Sequence, residues 1–205
     1  MTQGKCYLCQ GIFPKNQMTK HLASCTQKQT ADSKSPLQRS FQILAEGKYL
    51  PAYWLYLEMP AQTTLKVLDG FLRDIWLECC GHLSAFNVDK NEQNMNTPLY
   101  KILETGMKFD YEYDFGSTTH LTIKVMADEL CDPKNKSVKL LARNEPPLIK
   151  CSECDKPATQ VCTECIYDNA GWLCDDCVSD HECGEEMLLP VVNSPRVGVC
   201  GYTGD

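Results

Sequence analysis

Residues 151–183 read CSECDKPATQVCTECIYDNAGWLCDDCVSDHEC. Seven cysteines and one histidine stand in this stretch: Cys151, Cys154, Cys162, Cys165, Cys174, Cys177, His181 and Cys183. Six of the cysteines form three C-x2-C pairs. A two-residue gap lets both thiolates of a tight turn face one ion, and eight soft donors are enough for two tetrahedral zinc ions. Four protein donors per ion leave no position for water, so such sites are structural rather than hydrolytic. Trp172 and Leu173, directly before Cys174, are expected to pack against the metal-bound core. The segment is also acidic: residues 151–186 hold ten acids against one base, Lys156. Two Zn²⁺ would add four positive charges and seven thiolates seven negative ones. The segment is therefore ill suited to a phosphate backbone and suited to a protein partner with a basic surface.

At the opposite end, Cys6, Cys9, His21 and Cys25 follow the pattern C-x2-C-x11-H-x3-C. The last gap places His21 and Cys25 four apart, on one face of a helical turn. Ile12, Phe13 and Leu22 offer a minimal core, so metal binding should supply most of the stability of so short a segment. About three zinc ions per chain follow from four ligands each. Ten of the fourteen cysteines fall in these two clusters. Of the rest, Cys79 and Cys80 read as buried small side chains ending a helix, and Cys131 as a surface or edge thiol. Cys200 is a candidate to replace His181 or Cys183 as a ligand. The N-terminus lacks an apolar signal region and no run of about 18 apolar residues occurs. This predicts a cytoplasmic protein without a membrane segment, where C-x2-C pairs bind metal in preference to forming disulfides.

Between these ends lies a segment of mixed character. Thr26–Ser35 is polar and reads as a linker, so the expected organisation is a finger over 1–28, a linker over 29–35, a domain over 36–147, a two-zinc module over 148–186 and a tail over 187–205. Leu37, Phe41 and Leu44 recur at helical spacing and predict a short helix from Pro36 to Gly47. Ala52–Met59 is rich in aromatics and predicts a strand. Thr63 and Thr64 precede an apolar stripe (Leu65, Leu68, Leu72, Ile75, Trp76 and Cys79) that predicts a core-facing helix. Strands are expected over 82–88, 107–115, 118–128 and 138–142, with Gly116-Ser117 as a tight hairpin connection. Pro98–Glu104 suggests a helical turn. Together these define an α+β fold: a central antiparallel sheet with packed helices, plus two small zinc-stabilised modules.

Asp110, Glu112 and Asp114 alternate along one predicted strand and share a face. With His82 and His120 they offer a candidate metal or acid–base site. The alternation instead predicts a solvent-facing acidic side opposite a buried row of Phe109, Tyr111, Tyr113 and Phe115. His120 is then expected near the hairpin, bonded to Asp114 or Tyr113.

Three resemblances refine these expectations. The run Cys6-Tyr7-Leu8-Cys9 with His21-Leu22-Ala23-Ser24-Cys25 resembles the ubiquitin-binding zinc finger of translesion-repair proteins. Ala23 stands where that family carries its ubiquitin-contacting aspartate, so the resemblance extends to the zinc site alone. The C-terminal pattern resembles cross-braced B-box-type folds. That resemblance implies one ion on Cys151, Cys154, Cys174 and Cys177 and another on Cys162, Cys165, His181 and Cys183. A sequential arrangement, with Cys151, Cys154, Cys162 and Cys165 on one ion, is the alternative. The middle segment resembles the plasmid pRiA4b-like family through Tyr111-Glu112-Tyr113-Asp114-Phe115-Gly116 and Thr119-His120-Leu121-Thr122-Ile123. This implies an α+β fold and a link to plasmids or mobile elements.

No catalytic constellation stands out. The functional expectation is a non-enzymatic zinc-binding interaction or adaptor protein with a protein partner. Nucleic acid would be contacted through the N-terminal finger, where Lys5, Lys15, Lys20 and Lys28 meet no acid within residues 1–31. The rival expectation is a mobile-element enzyme or accessory factor acting on DNA through Asp110, Glu112, Asp114 and His120.

Overall fold

Gln38–Gly47, buried without interruption from Ser40 onward, is a strand and not the helix expected over 36–47. The computed structural model that shows this describes residues 2–31, 36–168 and 170–204, the side chains of 29–31 excepted. The reason lies in position. This strand, β3 (Gln38–Gly47), and its neighbour β4 (Trp54–Pro60) sit near the middle of the sheet and are buried along almost their whole length. A strand covered on both faces has no polar alternation, so its apolar residues can mimic helical spacing.

The remaining elements run in chain order as β1 (Gln3–Cys6), β2 (Ile12–Pro14) and α1 (Lys15–Ala31), then, after β3 and β4, α2 (Leu65–Leu72). β5 (Ser84–Val88), β6 (Asn91–Glu92), β7 (Lys108–Tyr113), β8 (Thr119–Cys131) and β9 (Lys139–Asn144) follow. β10 (Gln160–Cys162), β11 (Trp172–Leu173) and β12 (Leu188–Pro190) complete the order. Nine strands form one antiparallel sheet in the order β2-β1-β9-β4-β3-β8-β7-β5-β6, and three form a second in the order β11-β10-β12. The fold is α+β, with two α-helices among the described residues.

The two faces of the large sheet carry different helices. Phe41, Ile43 and Ala45 of β3, Leu55 and Leu57 of β4, and Leu121 and Ile123 of β8 join Leu65, Leu68 and Leu72 of α2 in the main core. Leu44, Trp54, Tyr56 and Leu141 point the other way and meet Met18 and Leu22 of α1. Burying each of these leucines is worth about 1.5–3 kcal/mol. α2 continues into a wider π-type turn over Arg73–Leu77 that buries Trp76 and Leu77. Thr64 occupies the N-cap position of α2 without making a side-chain cap bond; the Thr63 hydroxyl donates instead to the Pro60 carbonyl at 2.7 Å.

Three expectations about the ends need correction. The N-terminal finger is not an appendage, because β1 pairs with β9 through Gly4–Asn144, Lys5–Arg143 and Cys6–Ala142. Gly4 is required there: a Cβ would come within 2.2 Å of the Trp54 ring and 2.4 Å of the Arg143 carbonyl. The polar stretch after Cys25 continues α1 as far as Ala31; residues 32–35 lie outside the described residues. The segment after residue 186 is not a loose tail. Leu188–Pro190 pairs with β10, Val197 is buried in the main core, and Ser194 donates to the Trp76 carbonyl at 2.6 Å.

Candidate metal centres

The N-terminal cluster is assembled by a hairpin and a helix. Cys6 ends β1, Cys9 lies in the turn before β2, and His21 and Cys25 sit one turn apart on α1. Cys9 Sγ lies 3.3 Å from His21 Nε2, and the four ligand atoms all fall within 4.8 Å of one another. Phe13 stacks on the His21 ring at 3.7 Å between centroids and fixes its plane. Leu22 is buried as expected, whereas Ile12 is exposed and Met18, outside the expected minimal core, is fully buried.

The C-terminal cysteines are brought together in the interleaved arrangement and not the sequential one. Cys151, Cys154, Cys174 and Cys177 form one group, and Cys162, Cys165, His181 and Cys183 the other. Cys154 Sγ lies 3.6 Å from Cys174 Sγ and 3.8 Å from Cys177 Sγ. Cys165 Sγ lies 3.6 Å from His181 Nε2 and 3.7 Å from Cys183 Sγ. All fourteen cysteines are free thiols. Two thiolates on one tetrahedral zinc sit about 3.8 Å apart, given Zn–S bonds of about 2.3 Å. The sulfurs are thus spaced as edges of a coordination tetrahedron, far beyond the ~2.05 Å of a disulfide. Leu173 is buried, and Trp172 packs against the main hydrophobic core where packing against the metal-bound core was expected.

The electrostatics point the same way. At Cys151 burial opposes ionisation, but backbone hydrogen bonds at Cys174, Glu153 and Cys154 outweigh it and bring the thiol down to about 6. Burial likewise opposes ionisation of Cys162, yet the Cys165 backbone and the His181 side chain bring it down to about 6. Their neighbours move in the opposite sense. Cys177 is pushed up to about 12 by Cys174 and Cys154, and Cys165 to about 12 by Cys162 and Cys183. Cys25 rises to about 11, through burial first and then through Cys9 and Cys6. One thiolate forms readily in each group and then holds the proton on the next. A divalent cation at the centre relieves that conflict and allows all the sulfurs to ionise. Burial, aided by Lys28, keeps His21 below its ordinary range and hence neutral, as a ligand must be.

The other candidate residues do not converge as a group. Asp110 pairs with Lys48 at 2.8 Å. Glu112 faces His120 across the β7–β8 ladder, with 3.4 Å between Oε1 and Nδ1, so His120 meets Glu112 and not Asp114 or Tyr113. Asp114 departs from the strand with φ +67° and accepts a hydrogen bond from Arg196 Nη2 at 2.8 Å. Phe109, Tyr111 and Tyr113 are the buried row, and Phe115 is exposed. Cys131 is buried rather than at the surface, and Cys80 is exposed rather than buried. Cys200 joins neither C-terminal group; it lies beside Cys80 and His82. Among the described residues no helix is long and apolar enough to cross a membrane.

No protein-family model and no curated protein matches this chain. Among solved structures, it is similar to a protein of unknown function from Methanosarcina mazei Go1. The TM-score is 0.47 at 13% identity, over 53% of this chain and 70% of that one. What the structure itself shows is an α+β protein with groups of donors suited to holding metal ions.

Proposed function

We propose that this protein is a non-enzymatic adaptor whose cysteine-rich groups hold structural zinc and whose C-terminal module binds a protein partner with a basic surface. The observation that carries this reading is the segregation of charge in the module. All ten acids between residues 151 and 186 are exposed, while Cys151, Cys162 and Cys174 are buried. Lys156 is tied to Asp176 and Lys150 to Asp155, which leaves most of the acidic surface uncompensated. A chemically closed donor set makes the metal a brace and turns the module's surface into its working part. The middle sheet is read as the pRiA4b-like scaffold between the ends, which would associate the protein with plasmids or mobile elements.

Nucleic acid is the second reading. An open depression of about 720 Å³ holds Lys48, Lys90 and Lys108, but four carboxylates, Glu46, Asp89, Asp110 and Glu112, line it as well, and Lys48 is paired with Asp110. Against a finger-mediated contact, Lys15 is already engaged by Glu46 at 2.5 Å and by the Pro51 carbonyl at 2.9 Å. Fluorescence anisotropy with a labelled lysine-rich peptide and a labelled DNA duplex, each titrated across salt, separates the two. The adaptor reading expects peptide binding that is lost when Asp175, Asp176, Glu185 and Glu186 are changed to their amides, and no duplex binding at low salt. Duplex binding with a steep salt slope would replace it with the nucleic-acid reading.

A further inference from the structure

A fourth set of donors converges where α2 and its π-type turn end. Cys80 Sγ lies 2.9 Å from His82 Nε2, 3.7 Å from Cys79 Sγ and 3.8 Å from Cys200 Sγ. Cys200 Sγ is 3.7 Å from His82 Nε2. All four ligand atoms lie within 4.8 Å of one another, as in the other three groups. The sulfur–sulfur separations again match the ~3.8 Å edge of a zinc tetrahedron.

The backbone on both sides is bent to bring this about. Gly81, at φ +79°, reverses the chain so that His82 returns toward Cys80. Cys200 itself adopts φ +55°, a conformation that residues with a Cβ rarely take up. Such strain persists where surrounding structure over-determines it.

An outer layer of polar groups orients the donors. With Nε2 turned toward the sulfurs, His82 places Nδ1 3.5 Å from Asp114 Oδ1. Asp114 is held through its other oxygen by Arg196, which is fully buried and also directs Nη2 at Cys79 Sγ, 3.5 Å away. A carboxylate behind the distal nitrogen of a histidine is the usual support of a metal-bound imidazole. A guanidinium beside a cysteine favours its thiolate.

We propose that Cys79, Cys80, His82 and Cys200 form a fourth metal site, for a thiophilic divalent ion of the zinc class. On binding, each thiol releases its proton to solvent, and nothing is oxidised or reduced. This site differs from the other three because its ligands come from segments about 120 residues apart. Its ion ties the C-terminal segment to the end of α2. It stands independently of the adaptor reading. Cys80 and Cys200 are exposed, so the ion sits at the surface.

Zinc is the probe. The full chain, loaded with zinc under reducing conditions and desalted, should hold four ions by elemental analysis. Cys200→Ser and Cys80→Ser should each hold one fewer. Both positions are exposed, and an unchanged circular dichroism spectrum will show that the variants are folded. In cobalt-loaded protein, the spectrum of wild type minus Cys200→Ser should retain the absorption bands of a tetrahedral site with three sulfurs. Equal metal content in wild type and both variants would overturn the proposal, as would a Cys80–Cys200 disulfide in freshly reduced, zinc-loaded protein. A low total with the one-ion difference intact would count against the other clusters and not against this one.

Discussion

The two cysteine-rich ends of the chain are joined to the sheet in different ways. The N-terminal finger contributes strands to it: β1 pairs with β9, and α1 buries Met18 and Leu22 against Leu44, Trp54 and Tyr56. The C-terminal module has a small sheet of its own, with strands of three, two and three residues. Its fully buried apolar side chains, cysteines aside, are Val161 and Leu173. Ligand spacing marks where a metal belongs. How much of the surrounding structure relies on that metal depends on the apolar area buried beside it.

The largest effect should come from disarming a C-terminal cluster. Cys174→Ala removes a donor from a site type worth about 10–16 kcal/mol when zinc binds a short peptide. Hydrogen exchange should show β10, β11 and β12 unprotected while β1 and α1 stay protected. Loss of protection at both ends would erase the distinction. A smaller effect is expected where the C-terminal segment is held by charge. Asp114→Asn leaves the buried Arg196 without its counter-charge, a change that costs about 3–5 kcal/mol in such pairs. Arg196 first of all holds the Asp114 carboxyl below its ordinary range. The pair's contribution is thus complete above the usual aspartate value and lost as pH falls through the depressed one. Urea midpoints between neutral pH and pH 2 should fall for wild type, and the Asn variant should lack that component. The finger's hold is apolar and should be blind to that titration. Leu22→Ala should cost about 2–5 kcal/mol by urea unfolding, with a similar loss at pH 7 and pH 4. A loss confined to zinc-free protein would mean that the metal, and not burial, carries the finger.

Legibility in the sequence followed exposure. β7 alternates Phe109, Tyr111 and Tyr113 inward with Asp110 and Glu112 outward, and its strand character could be read directly. β3 could not, because Ser40–Gly47 is buried without interruption and its leucine and phenylalanine fall at helical intervals. The three clusters within short segments were visible as spacing. The grouping of Cys79, Cys80, His82 and Cys200 was not, since its members lie far apart along the chain. The local signal was Cys-Cys-x-His at 79–82, read instead as the end of a helix. The joining of β1 to β9 was hidden for the same reason.

The Arg196–Asp114 contact also sets a timetable for the nascent chain. The two residues are 82 positions apart, so a ribosome adding about 5–20 residues per second makes the arginine roughly 4–16 s after the aspartate. Throughout that interval the main core also lacks Val197, and the turn after β7 carries an unmatched negative charge. Vectorial synthesis therefore leaves this contact to form only after all nine strands of the large sheet, the last ending at Asn144, have been made.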